Sequence, residues 1–200
     1  MIKKLYDRTI KRMYDWAMGI SAKPNAVWLL VAVSFMESSF FPIPPDVVLI
    51  PLVLANREKA FMLAMYCTVA SVIGGFFGYF IGYMLYDSVA VPILNFYHAR
   101  AQFEEFAAAY HQYGAWIVFG AGLTPFPYKV VTIASGVTHL DLGVFGIASV
   151  LSRGGRFFLV AWLLWKWGAP MKTYIEKNLG WLSVLFFVLL AGSFALIKFL

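Results

Sequence analysis

Residues 35–51 read FMESSFFPIPPDVVLIP, with apolar residues 26–36 before the break and apolar residues 47–55 after it. Crossing about 30 Å of hydrocarbon takes roughly 20 helical residues, and neither arm is that long. Pro42, Pro44 and Pro45 remove backbone donors and prevent one helix from running through. The expected shape over residues 26–56 is a re-entrant hairpin with its tip at membrane depth, in preference to a single Pro-kinked span. Irregular backbone survives at that depth only where it is buried in protein or lines a polar cavity.

The pattern recurs further along the chain. Apolar residues 115–123 are followed by TPFPYK at 124–129, which holds Pro125 and Pro127, and then by apolar residues 130–137 with His139 and Asp141 beyond. A second hairpin is therefore expected over residues 115–141. FPIP at 41–44 is answered by TPFP at 124–127, and SVIGGFF at 71–77 by SVLSRGGRFF at 149–158. Each half reads as a Pro-broken hairpin followed by a longer span, residues 60–86 and 142–168. One complete crossing separates the two hairpins, so the halves face opposite ways, the inverted repeat that puts a transporter's site near the bilayer midplane. Gly74, Gly78 and Gly82 make a small-residue ridge suited to close helix packing, which permits homo-oligomers without specifying them.

Composition agrees with a chain dissolved in lipid. Of 200 residues, 62% are hydrophobic and 13% charged, and mean hydropathy is +0.75, against about 25% charged for ordinary globular domains. A soluble enzyme is excluded. The net charge of +6 is distributed for a membrane surface rather than for nucleic acid: residues 1–24 form a basic amphipathic helix on an anionic leaflet. Placing the N-terminus, residues 57–59 and 166–180 inside puts eleven of sixteen Lys and Arg in the cytoplasm. Residues 87–114 then read as an interfacial helix outside, and residues 171–200 as a basic loop followed by a last span at 181–197, with the C-terminus outside. The fold class is all-α integral membrane protein. Cys67, the single cysteine, excludes an intramolecular disulfide, and His98, His111 and His139 lack metal-ligand spacing, so neither metal nor cofactor is expected.

Five charges fall at hairpin tips or within a span: Glu37, Asp46, Lys129, Arg153 and Arg156. A central charge costs roughly 2.5–3.5 kcal/mol on insertion scales, so they are expected to cluster. Three bases and two acids leave one net positive charge, which one anion neutralises. Arginine forks suit phosphate oxygens, and Lys129 adds a point charge. Glu37 and Asp46 can exchange protons as the arginines switch partner from carboxylate to phosphate. The plainer reading makes the same residues structural salt bridges locking two hairpins together.

With Glu37, the FPIPPD turn, the glycine-ridged span, TPFPYKVVTIASG and SRGGRFF, the chain resembles the DedA family, whose VTT domain is also described as SNARE-associated Golgi-type, and it is most similar to the YqaA-like branch. The resemblance covers about residues 25–170. It implies a bacterial inner-membrane, multi-pass protein that moves lipids with phosphate headgroups, such as polyprenyl phosphate or phosphatidylethanolamine, between leaflets, with a link to proton motive force. By motif the family's embedded acids fall on Glu37 and Asp46. Gly122 stands where the family's second-hairpin motif has arginine, with Lys129 downstream and Arg153 and Arg156 as compensation. Two other classes compete: a proton- or cation-coupled solute transporter, and a lipid phosphatase, for which no histidine falls in either tip. A membrane scaffold is the fourth reading.

Overall fold

The structure is a computed structural model and describes residues 25–40, 44–98, 100–124 and 126–197, with the side chains of 169 and 171–197 outside that description. The expected amphipathic helix over 1–24 and the prolines Pro42 and Pro125 lie outside the described residues. No strand occurs among the residues described.

The first half contains α1 (Ala26–Ser39), α2 (Asp46–Ala55) and α3 (Ala60–Leu85). The second contains α5 (Arg100–Leu123), α6 (Tyr128–Val137) and α7 (Leu142–Ile197). A single π-turn over Tyr86–Ala90 and the short α4 (Val91–Phe96) connect them. The breaks fall at the prolines. Helix α1 ends at Phe40, and Pro45 caps α2, whose first residue, Asp46, places its carboxylate on the positive end of the helix dipole. Pro127 likewise precedes α6 in an extended conformation. The first break is thus two separate helices rather than one kinked span.

Two boundaries differ from those expected. Residues 100–123 form one helix, so the outer interfacial segment and the first arm of the second hairpin are continuous. Gly114, the residue that could have interrupted it, is packed close against Leu140 instead. The SRGGR segment at 152–156 lies within unbroken helix, inside the span expected over 142–168. After a kink at Trp167, where the backbone leaves helical angles, helix resumes through Ile197, so the stretch 171–180 is helical where a basic loop was expected. Pro170 sits early in the resumed segment, where its missing N–H is least costly.

Side-chain contacts fix the directions of the helices. Ser34 meets Cys67, Ser38 meets Ser71 and Ser39 meets Gly74, so α1 runs parallel to α3. Gly122 faces Ser152 and Arg156 reaches Thr124, so α5 runs parallel to α7. Against each other, α3 and α7 are antiparallel: Thr68 lies by Gly154, Phe76 by Gly146 and Arg57 by Trp165. The two halves therefore run in opposite directions. Their second arms are exchanged, α2 lying along α7 and α6 along α3.

Close approach along α3 explains its glycines. A Cβ at Gly74 would collide with the Phe35 carbonyl of α1, and one at Gly78 or Gly82 with Thr132 or Ile133 of α6. The ridge is consumed inside the chain, on two helices at once. Two hydrophobic clusters result. One joins α1, α2 and α3 to Phe157, Ala161 and Leu164; the other joins Tyr79 to α5, α6, Leu140, Phe145 and Ala148.

Residues 57–96 and 142–168 are each long and apolar enough to cross a membrane. At one pole stand Arg57, Lys59 and Lys166 against Glu58; at the other, Asp87, Glu104, Glu105 and Asp141 against Arg100.

Candidate functional site

Between the two hydrophobic clusters lies a layer of charge. Arg153 is 11 residues into α7 and Ser71 is 11 residues into α3, about 16 Å along either helix at 1.5 Å per residue. The layer therefore sits near the middle of α3 and of the part of α7 that precedes the Trp167 kink, where both broken segments end.

Arg153 is 1% exposed. Its Nη2 donates to Glu37 Oε2 at 2.6 Å, and its Nε donates to Ser71 Oγ at 2.6 Å. Because Ser71 accepts from the guanidinium, its own proton is left for Ser38 Oγ, 2.6 Å away. Ser38 in turn lies 3.3 Å from Glu37 Oε2, closing a ring of four side chains from α1, α3 and α7. Two aromatic rings flank the guanidinium, Tyr128 at 4.9 Å and Phe157 at 4.7 Å from their centroids. Such cation–π contacts gain strength when desolvated. Tyr128 is itself held by a hydrogen bond to Ser149.

The second pair is built differently. Arg156 Nη2 donates to Asp46 Oδ2, and Nη1 donates at 3.0 Å to the backbone carbonyl of Thr124, the first residue past α5. One arginine thus ties the first break to the second. The side chains of this pair are each 18% exposed, against 2% for Arg153 and 14% for Glu37. Asp46 Oδ1 is buried and has no hydrogen-bond partner, alone in this among the described side chains. Buried carboxylate oxygens are ordinarily satisfied.

The acids of the first half and the arginines of the second are thus brought together. Lys129 is not part of either pair. It is half-buried in the first turn of α6, next to Tyr128, and its side chain makes no ion pair among the described residues. The layer holds two one-to-one pairs with Lys129 apart. Pro44 and Pro45 stand beside Asp46, and Pro127 beside Tyr128, where they end the irregular segments. Thr132 Oγ1 donates to the Ser38 carbonyl at 3.0 Å, so the end of α1 is held by α6 as well. Ser71, Tyr128, Phe157, Thr124 and Thr132 were not singled out by sequence. The serines Ser34 and Ser38, four apart on one helix face, were the available signal. Among the described residues, no group of three or more His, Cys, Asp or Glu side chains is arranged to hold a metal.

The VTT domain matches residues 43–166, more than half of the chain, and the chain belongs to this family, the DedA family. An uncharacterized protein of Haemophilus influenzae is 40% identical over 181 residues, covering 88% of this chain and 93% of the relative. An uncharacterized protein of Histophilus somni is 36% identical over 177 residues, covering 86% and 92%. No solved structure matches. Membership in the family points to a transporter-like role in a membrane.

Proposed function

We propose that the protein moves lipids with phosphate headgroups between the leaflets of the bacterial inner membrane, as a flippase or scramblase without a covalent step. The two broken helices enter as re-entrant hairpins from opposite leaflets, with the N-terminus cytoplasmic. The headgroup crosses through the charged layer while its acyl or prenyl tails remain in the bilayer.

The observation that carries this reading is the pair of arginines at mid-height, each held by a carboxylate from the other half. A charge in hydrocarbon is expensive, and a protein retaining four at that depth has a use for them. Arginine is the side chain best matched to phosphate oxygens. Phosphate and carboxylate are interchangeable partners for a guanidinium fork, so a passing headgroup can replace an acid without leaving the arginine unpaired. Polyprenyl phosphate and phosphatidylethanolamine both supply that group, and a released carboxylate can take up a proton, which would link transport to proton motive force.

Reconstitution into liposomes carrying a dithionite-quenchable fluorescent phosphatidylethanolamine or, in a second set, a similarly labelled polyprenyl phosphate in both leaflets tests the reading, with dithionite reporting how much label reaches the outer leaflet. The expected result is lipid exchange well above that of empty liposomes. Exchange no faster than in empty liposomes for both lipid classes would refute it. Phosphate release from the lipid would indicate hydrolysis, and flux of a water-soluble solute with no lipid exchange would favour a coupled solute transporter.

A further inference from the structure

The two ion pairs have different surroundings. Around Arg153 every direction is filled: Glu37 and Ser71 at 2.6 Å, Tyr128 and Phe157 on its faces, and virtually no exposure. Replacing Glu37 by an incoming group would mean dismantling a ring of four side chains contributed by three helices. Around Arg156 the contacts are a carboxylate and a backbone carbonyl. Its neighbours on the outer side are exposed: Leu123 at 42%, with Thr124 and Gly155 open as well. A Cβ on Gly155 would meet only the end of the Leu123 side chain, at 3.7 Å. Among the described residues Asp46 accepts from Arg156 alone and its other oxygen is buried without a donor, whereas Glu37 Oε2 has both Arg153 and Ser38 beside it.

We infer that the pairs do separate work: Arg153–Glu37 is a fixed clamp between the halves, and Arg156–Asp46 is the exchangeable pair, where a lipid phosphate displaces Asp46 from Arg156. This rests on the transport reading and names its contact residue. The headgroup reaches Arg156 sideways from the bilayer, past Leu123 and Gly155. Thr124 is the hinge of the exchange, because the Nη1 bond to its backbone keeps Arg156 oriented while Nη2 changes partner. Arg153 never touches substrate; it is a positioning residue that holds the end of α1, and through it Asp46, at the right height.

Two measurements on the full-length chain test this. In detergent micelles, phenylglyoxal modification of arginines is followed by mass spectrometry, with and without dihexanoylphosphatidylethanolamine. Arg156 is expected to react at least tenfold faster than Arg153, and the lipid to slow Arg156 alone. Equal rates, faster reaction at Arg153, or lipid protection of neither residue would overturn the assignment. In liposomes, Arg156→Gln is expected to lower lipid exchange at least tenfold while its melting temperature falls less than that of Arg153→Gln, and Arg156→Lys to restore part of the exchange. Arg153→Gln is expected to lose exchange only together with a fall in melting temperature. A folded Arg156→Gln that exchanges lipid like the unmodified protein would refute the assignment. Should the unmodified protein exchange no lipid, the transport reading fails, and the labelling rates still decide whether the pairs are unequal.

Discussion

Replacing Arg153 by methionine keeps most of the side-chain volume in the space beside Phe157 while removing the charge. Glu37 is then a buried carboxylate with Ser38 as its remaining donor, 3.3 Å away. Breaking a buried pair from one side costs about 3–5 kcal/mol, since the uncompensated charge stays behind. At about 2–4 °C per kcal/mol for a chain of this size, the melting temperature should fall by on the order of 10 °C. Removing both charges is different: in Glu37→Gln with Arg153→Met, nothing ionised is left buried, and most of the loss should return. The assay is a double-mutant cycle on thermal unfolding in maltoside micelles, read by circular dichroism. A single variant that melts within 2–3 °C of the unmodified protein would show that the pair is not buried as described. So would a double variant that melts as low as the sum of the two singles.

Other outcomes follow from the packing. Gly136→Ala should destabilise strongly, by about 2–5 kcal/mol, because a Cβ there would run into the Tyr79 carbonyl of α3. Gly120→Ala, with open space around it, should gain about 0.5–1 kcal/mol from helix propensity; the same melting assay compares them. Ser34→Cys should form a disulfide with Cys67 under mild oxidation, since the Ser34 oxygen lies 3.4 Å from the Cys67 sulfur. Full maleimide labelling of both cysteines after oxidation and denaturation would contradict the parallel packing of α1 on α3. Gly155→Leu should slow lipid exchange severalfold with little change in melting temperature, by crowding the opening beside Leu123; exchange at the unmodified rate would place the entry elsewhere.

Much of the architecture was legible because proline and charge are expensive in hydrocarbon. Pro44, Pro45 and Pro127 could end only short helices, and opposite signs in opposite halves had to meet. Which acid meets which arginine was not legible. Glu37 and Asp46 flank one break, and Arg153 and Arg156 share one helix face, so the pairing depends on how α1 and α2 each lie against α7. Lys129 was grouped with the arginines by its place in the broken segment, but its position in the first turn of α6 leaves it outside both pairs. Ser71, Tyr128 and Phe157 were hidden for another reason: serine and aromatic residues recur throughout such helices, and only the packing of three of them on one guanidinium makes these distinctive. The continuous helix over residues 100–123 was missed because Gly114 and the change from polar to apolar sequence look like a boundary. Close contact with Leu140 offsets that weakness.

The most direct test is the depth of the two tips in a bilayer. Phe40 and Thr124 are both exposed and stand at the first and second breaks. In a Cys67→Ser background, each is replaced by a spin-labelled cysteine, and its depth is measured by power saturation with oxygen and a water-soluble nickel chelate. Both labels are predicted at the centre of the bilayer, at matching depth, accessible to oxygen and shielded from the chelate. Either label at a headgroup interface would show that the two broken helices do not meet within the membrane.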